Sequence, residues 1–385
     1  EYTGKLDSKK QTYNHWQDRT TVYSIGEVTD DTEMSMCILQ SLKENKMIYN
    51  RDDVTMKYIE WANSGTASMG RNTRDLLKGI KTYNGYKKRY DKKFSDKDVA
   101  FNMQSNGAMM RSGLLAIYRF RSKEAWEMIL RTDCYITNPS IFAYECNYLL
   151  SSSIYDALTG LGREVIMRRT LKRCSKMDPK IVEYMRKASK GEVININGKD
   201  KGWCLNALYI TYFALMKGKT FEDSMNMIIR SKGDTDTNGC IAGYLLGAYY
   251  GLEEMNKDSV TRENIKILLK CDTKESSKPR PERYLVRNYY TDQNVEMIVK
   301  LIEKNQKSNY MTPKTVSIPK NMKVPTTPKT KSPVKIKMKK VAKSPVIKIE
   351  TFGLSEIFNK LIIPDPGKKP KEIGSVALQK TMKVN

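Results

Sequence analysis

The sequence predicts an all-α protein, and three observations lead there. Apolar residues recur at three- and four-residue spacing in six separate stretches, the alternation expected of half-buried strands is rare, and no disulfide or zinc framework takes the place of a packed core. At 385 residues the chain exceeds one typical domain. It divides into a helical domain over residues 1–305 and an extension over 306–385.

The elements follow in order. The first amphipathic stretch is TEMSMCILQSLK at 32–43, opened by Thr29, Asp30, Asp31 and Thr32. A long loop rich in Gly, Asn and Lys is expected near 81–100. NGAMMRSGLLAIYRF (106–120) reads as a helix start capped by Asn106, with Met109, Met110, Leu114 and Leu115 as core. Helices are then expected over SIFAYECNYLLSSSIYDAL (140–158), WCLNALYITYFALM (203–216), FEDSMNMIIR (221–230) and VEMIVKLIEK (295–304), with a second long loop near 190–201. Between the last two lies SKGDTDTNGCIAGYLLGAYYG (231–251). There Gly239, Gly243, Gly247 and Gly251 recur every four residues, which predicts a central helix with one bare stripe against which a neighbour packs closely.

Composition narrows the chemistry. No run of about 18 apolar residues exists, so no membrane-spanning helix is expected. The seven cysteines are scattered and odd in number, without a CxxC pair, which predicts a reducing compartment, cytoplasm or nucleus. The opening EYTGKLDSKK is polar throughout, so no signal peptide is expected, and the missing initiator Met predicts an incomplete N-terminus. A single histidine, His15, excludes most Ser-His-Asp, Cys-His and multi-His zinc schemes. An enzyme built from this inventory would work through carboxylates, whose hard oxygens favour Mg2+, Mn2+ or Ca2+.

The net charge of +25 is concentrated at one end. Residues 311–349 hold eleven Lys and six Pro with no Asp, Glu or Arg, and 306–385 supplies +14 of the total, leaving +11 on the first 305 residues. Such a composition predicts disorder. The two KSPV repeats at 331–334 and 343–346 offer a surface for nucleic acid or an acidic partner, to be set against a merely solubilising tail. A short docking helix is expected at 353–362.

Two acidic clusters stand out: Thr29, Asp30, Asp31 and Thr32 near the front, and Asp234, Asp236 and Thr237 far along the chain. Each opens an apolar helix, so capping explains either one alone. A cap needs one such residue. Crowded carboxylates repel unless a cation joins them, and two equivalent clusters suit one metal site at which both helix starts converge.

The segments TDDTEM (29–34), SNGAMMR (105–111) and GDTDTNGCIAGYLLGA (233–248), in that order, resemble the ADP-ribosylglycohydrolases. The resemblance spans about residues 23–255. It implies a compact all-α fold with two Mg2+ ions, Mn2+ as substitute, held by Thr29, Asp30, Asp31, Asp234, Asp236 and Thr237, the four aspartates being catalytic. It also implies substrate contacts at Asn106 and Gly107, at Gly70 within SMGRNTRDLL, and at Asn138. The chain departs from the family where Thr-His is common, having Thr137 and Asn138, and it lacks the family's opening GDALG-type segment, whose following glutamate Glu1 would represent.

The implied function is metal-dependent hydrolysis of the glycosidic bond that joins ADP-ribose to a modified protein side chain, with arginine favoured as acceptor. Metal ions would orient the ribose hydroxyls and a water, and nearby anions favour an oxocarbenium-like state. The alternatives are a catalytically silent ADP-ribose binder or scaffold of the same fold, and nucleic-acid association through the basic tail.

Overall fold

The computed structural model describes residues 24–306, apart from 25, 67, 275 and 277, together with 6–7 and 12–13. The expected tail, its 353–362 helix and Glu1 lie outside the described residues. Helices dominate, as the spacing predicts. Among the described residues the only strand ladder is a two-residue antiparallel pair, Leu6–Asp7 with Thr12–Tyr13. No described helix is long and apolar enough to cross a membrane.

The helices in chain order begin with α1 (Asp30–Glu44), α2 (Arg51–Ala62), α3 (Arg71–Leu77), α4 (Tyr83–Lys93), α5 (Lys97–Phe101) and α6 (Met109–Ser112). They continue with α7 (Lys123–Thr137), α8 (Ile141–Leu158), α9 (Arg163–Cys174), α10 (Pro179–Lys190) and α11 (Cys204–Lys217). The last four are α12 (Phe221–Arg230), α13 (Thr235–Lys257), α14 (Ser259–Lys270) and α15 (Asp292–Gln306). Tight 3-10 turns flank α6 at Asn106–Ala108 and Gly113–Phe120.

Local chemistry sets most helix starts. Asn50, Thr82, Asp96, Ser122, Asp178, Thr220 and Asp258 each accept a hydrogen bond from a first-turn N–H, and α10 adds Pro179 at its first position and left-handed Gly191 at its end. The loop expected near 81–100 is largely helical, because the Thr82 and Asp96 caps start α4 and α5, and Tyr86 is buried with its hydroxyl donating to the Ile136 carbonyl. The second expected loop is present between α10 and α11.

The core is built around α8, α11 and α13, which pack on one another. Some polar residues inside it are partnered, Ser151 accepting from the Trp126 indole at 2.9 Å and Ser153 meeting the Tyr212 hydroxyl at 2.6 Å, whereas Ser152 Oγ and the Asn238 amide have no hydrogen-bond partner among the described residues. Met109, Met110 and Leu115 are buried as expected, with Leu114 half-buried against the core.

The glycine stripe does not behave as the sequence suggests. α13 is central, yet its contact face is Ile241, Ala242, Leu245 and Leu246. A Cβ at Gly243 or Gly247 would find no described atom within 4 Å, and one at Gly239 would meet only Met225 Cε at 3.7 Å. Gly251 breaks the helix instead, at φ +74°. The close approach is made from the other side: a Cβ on Gly113 would fall 2.1 Å from the Tyr244 ring. Gly113→Ala is therefore expected to lower stability by about 1–3 kcal/mol through overpacking, measured by denaturant unfolding, whereas Gly243→Ala is expected to be neutral or stabilising.

Candidate active site

The two acidic helix starts come together. Burial first, then the charges of Asp30 and Asp236, hold the Asp31 carboxyl well above the usual carboxylate range, with hydrogen bonds from Thr29 and Thr237 opposing the rise. Asp30 is likewise raised, by burial first; a hydrogen bond from Ser68 opposes this and the Asp236 charge adds to it. Carboxylates some 200 positions apart in the chain thus feel one another, as the sequence pattern implies. Below them, Ser35 Oγ of α1 and the Tyr244 hydroxyl of α13 lie 2.6 Å apart and keep the two helices in register.

Capping does not explain these acids. Neither Thr29 nor Asp234 makes a side-chain cap, although seven other helices have one. Thr29 Oγ1 donates to Asp31 Oδ2 at 2.6 Å instead, and Asp31 Oδ1 is buried with no hydrogen-bond partner among the described residues. The residue as a whole is 2% exposed. A buried carboxylate oxygen left in that state is costly unless something else completes it.

The remaining groups form the walls. Ser68 Oγ donates to Asp30 Oδ1 at 2.8 Å, and the Gly70 N–H also hydrogen-bonds that carboxylate, which places Gly70 at the site from the N-cap of α3. Asn106 is not a cap. Its Nδ2 donates to Asp234 Oδ2 at 2.7 Å, while its backbone N–H donates to the Gly202 carbonyl at 2.9 Å. Burial raises Asp234; the Asn106 hydrogen bond opposes that shift, Asp236 adds to it and Lys201 lowers it. Ser105 bridges Trp203, so the 103–106 loop is zipped to the segment before α11. A Cβ on Gly202 would sit 3.5 Å from Asp234 Oδ2, so residue 202 also faces the cluster.

Two of the expected substrate contacts also make bonds within the fold. Asn138 is 1% exposed and fully engaged: its Nδ2 donates to Ser105 Oγ, Ser105 O and Met103 O at 2.9–3.2 Å, and its Oδ1 accepts from Thr137. It holds the loop that presents Asn106. Gly107 uses its carbonyl to accept from Arg111 Nη1 at 2.8 Å.

Arg111 was not among the residues singled out from the sequence, although it ends the quoted SNGAMMR segment. It is fully buried and reaches Asp133 Oδ2 at 3.0 Å, Thr137 Oγ1 at 2.9 Å and the Asp133 carbonyl at 2.9 Å, with Tyr58 also donating to Asp133 at 2.9 Å. Asp133 carried no sequence signal. Its role exists only because α7 packs beside the 105–111 turn.

Together these features define a helical protein with a buried cluster of carboxylates and threonine hydroxyls at two converging helix starts. The chain belongs to the ADP-ribosylglycohydrolase family, whose family model matches residues 3–271. It is 26% identical over 251 residues to the ADP-ribosylarginine hydrolase Tri1 of Pseudomonas putida (strain GB-1), covering 62% of each chain. It is 23% identical over 242 residues to the ADP-ribosyl-[dinitrogen reductase] glycohydrolase of Rhodospirillum rubrum, covering 63% of this chain and 75% of that one. A solved structure described as an ADP-ribosylglycohydrolase-related protein complex has a TM-score of 0.48 and 23% identity, covering 63% of this chain and 80% of that chain.

Proposed function

We propose that this protein is a hydrolase that releases ADP-ribose from modified protein side chains, with arginine the favoured acceptor and Mg2+ the cofactor. The observation that carries the reading is the buried Asp31, with one carboxylate oxygen unpartnered among the described residues, set between the charges of Asp30 and Asp236 in a chain of this family. The named activities of the Pseudomonas putida and Rhodospirillum rubrum relatives support the substrate class, and the former supports arginine.

The candidate donors are of the chemical kind that a hard cation takes. All are carboxylate or hydroxyl oxygens, from Thr29, Asp30, Asp31, Asp234, Asp236 and Thr237. Among the described residues no group of three His, Cys, Asp or Glu could hold a metal alone, so the threonine hydroxyls would have to be part of the set. When bound, Mg2+ would supply a polarised water and a hold on the ribose hydroxyls. The chain's own part is positional and electrostatic. Ser68 and Gly70 fix the Asp30 carboxylate, Asn106 fixes that of Asp234, and the anionic cluster favours positive charge developing at the anomeric carbon.

The test is release of free ADP-ribose from separately prepared arginine- and serine-linked proteins, in Mg2+ or EDTA. Mg2+-dependent release from the arginine-linked protein is the expected result. Metal-dependent ADP-ribose binding without release from either would establish a silent binder instead.

A further inference from the structure

We propose that Arg280 is a positioning residue for the acidic site, clamping the first turn of α1 to the loop that holds Asp30. It lies beyond the span matched by the family model, in the segment after α14. Its Nε donates to Glu33 Oε1 at 2.6 Å and its Nη2 to Glu33 Oε2 at 3.1 Å, with side-chain exposures of 3% and 2%. The same guanidinium donates to the Ser64 carbonyl at 3.1 Å and to Ser64 Oγ at 2.8 Å.

These two grips have distinct consequences. Glu33 is in the first turn of α1, directly after the Thr29–Asp31 cluster, and also accepts from the Trp61 indole at 2.6 Å. Ser64 begins the loop that leads to Ser68 and Gly70, the two groups that hold the Asp30 carboxylate. One planar cation with several fixed donors thus sets the spacing between Asp30 and its holders, and it also neutralises a further carboxylate that feels the charge of Asp30. The backbone N–H of Arg280 is itself tied to Thr273 Oγ1 at 2.8 Å, so the clamp is anchored from behind.

A lysine keeps the charge but cannot span both partners, so Arg280→Lys tests position rather than charge. The double variant Glu33→Met with Arg280→Met removes the pair altogether, an exchange that buried ion pairs often tolerate in stability. Arg283→Lys is the control, since Arg283, on the same segment as Arg280, pairs with Glu60 of α2 at the surface, at 45% and 51% exposure. Each protein is measured by amide hydrogen exchange, by Mn2+ titration followed with electron paramagnetic resonance, and by ADP-ribose release kinetics.

In Arg280→Lys and the double variant, exchange is expected to quicken about tenfold at residues 30–33 and 68–71 while the core helices stay protected. Mn2+ affinity and kcat are expected to fall about tenfold, with KM changed by less than about threefold. Arg283→Lys should match the parent in all three. Unchanged exchange in Arg280→Lys would overturn the clamp, and so would faster exchange with Mn2+ affinity and kcat both within about twofold. The catalytic arm rests on the hydrolase reading. If the parent releases no ADP-ribose, that reading fails separately, and Arg280 is judged by exchange and Mn2+ binding alone.

Discussion

Asp31→Asn is expected to lower ADP-ribose release by about a thousandfold or more while the protein stays folded. The estimate follows from the size of losses seen when one preorganised electrostatic group is removed from a site. In EDTA the same variant should melt no lower than the parent. The Asp31 carboxyl is buried, has an oxygen with no hydrogen-bond partner among the described residues, and faces Asp30 and Asp236. Removing a charge held under those conditions relieves desolvation and repulsion together. The pair of measurements separates function from folding: a fall in melting temperature with activity retained would mean that Asp31 is a structural residue. Asp234→Asn should behave similarly in activity, since the Asn106 amide that now orients its carboxylate would then meet a mixed donor and acceptor.

Arg111→Met carries the largest expected cost in stability. It would leave Asp133 buried without its cation and strip the Gly107 carbonyl and Thr137 hydroxyl of a donor. Breaking a buried pair in this way costs about 3–5 kcal/mol. Calorimetry should show a drop of about 10 °C in melting temperature. Changing Asp133 to Leu in the same chain is expected to recover part of the loss, because the orphaned charge and not the missing attraction is the greater penalty. No recovery would mean that the hydrogen bonds to Gly107 and Thr137 dominate.

Much of the site is legible in the sequence because it is local. Thr29 to Asp31 and Asp234 to Thr237 are short runs in which more acid is present than a cap can use, and that excess shows without coordinates. Asn106 and Gly70 sit inside recognisable segments, and both meet the acids, Asn106 through a side-chain bond to Asp234 and Gly70 through its N–H to Asp30. Asn138 was equally visible, but its direction was not. Whether a buried amide faces a ligand or a loop depends on which carbonyls surround it, and here those belong to Met103 and Ser105.

The sequence alone determined the all-α class and the two acidic helix starts, because periodicity and local charge excess are written within a few turns of chain. Only the tertiary structure decided what those starts meet. Arg280 reaches Glu33 across 247 positions, and Ser68 reaches Asp30 across 38. It also decided that α13 packs through Ile241, Ala242, Leu245 and Leu246, leaving its glycines bare, with the close contact at Gly113. Glycine spacing shows where a neighbour can approach. Which neighbour does so is set by the competition of every helix for the same buried surface, and no single segment contains that information.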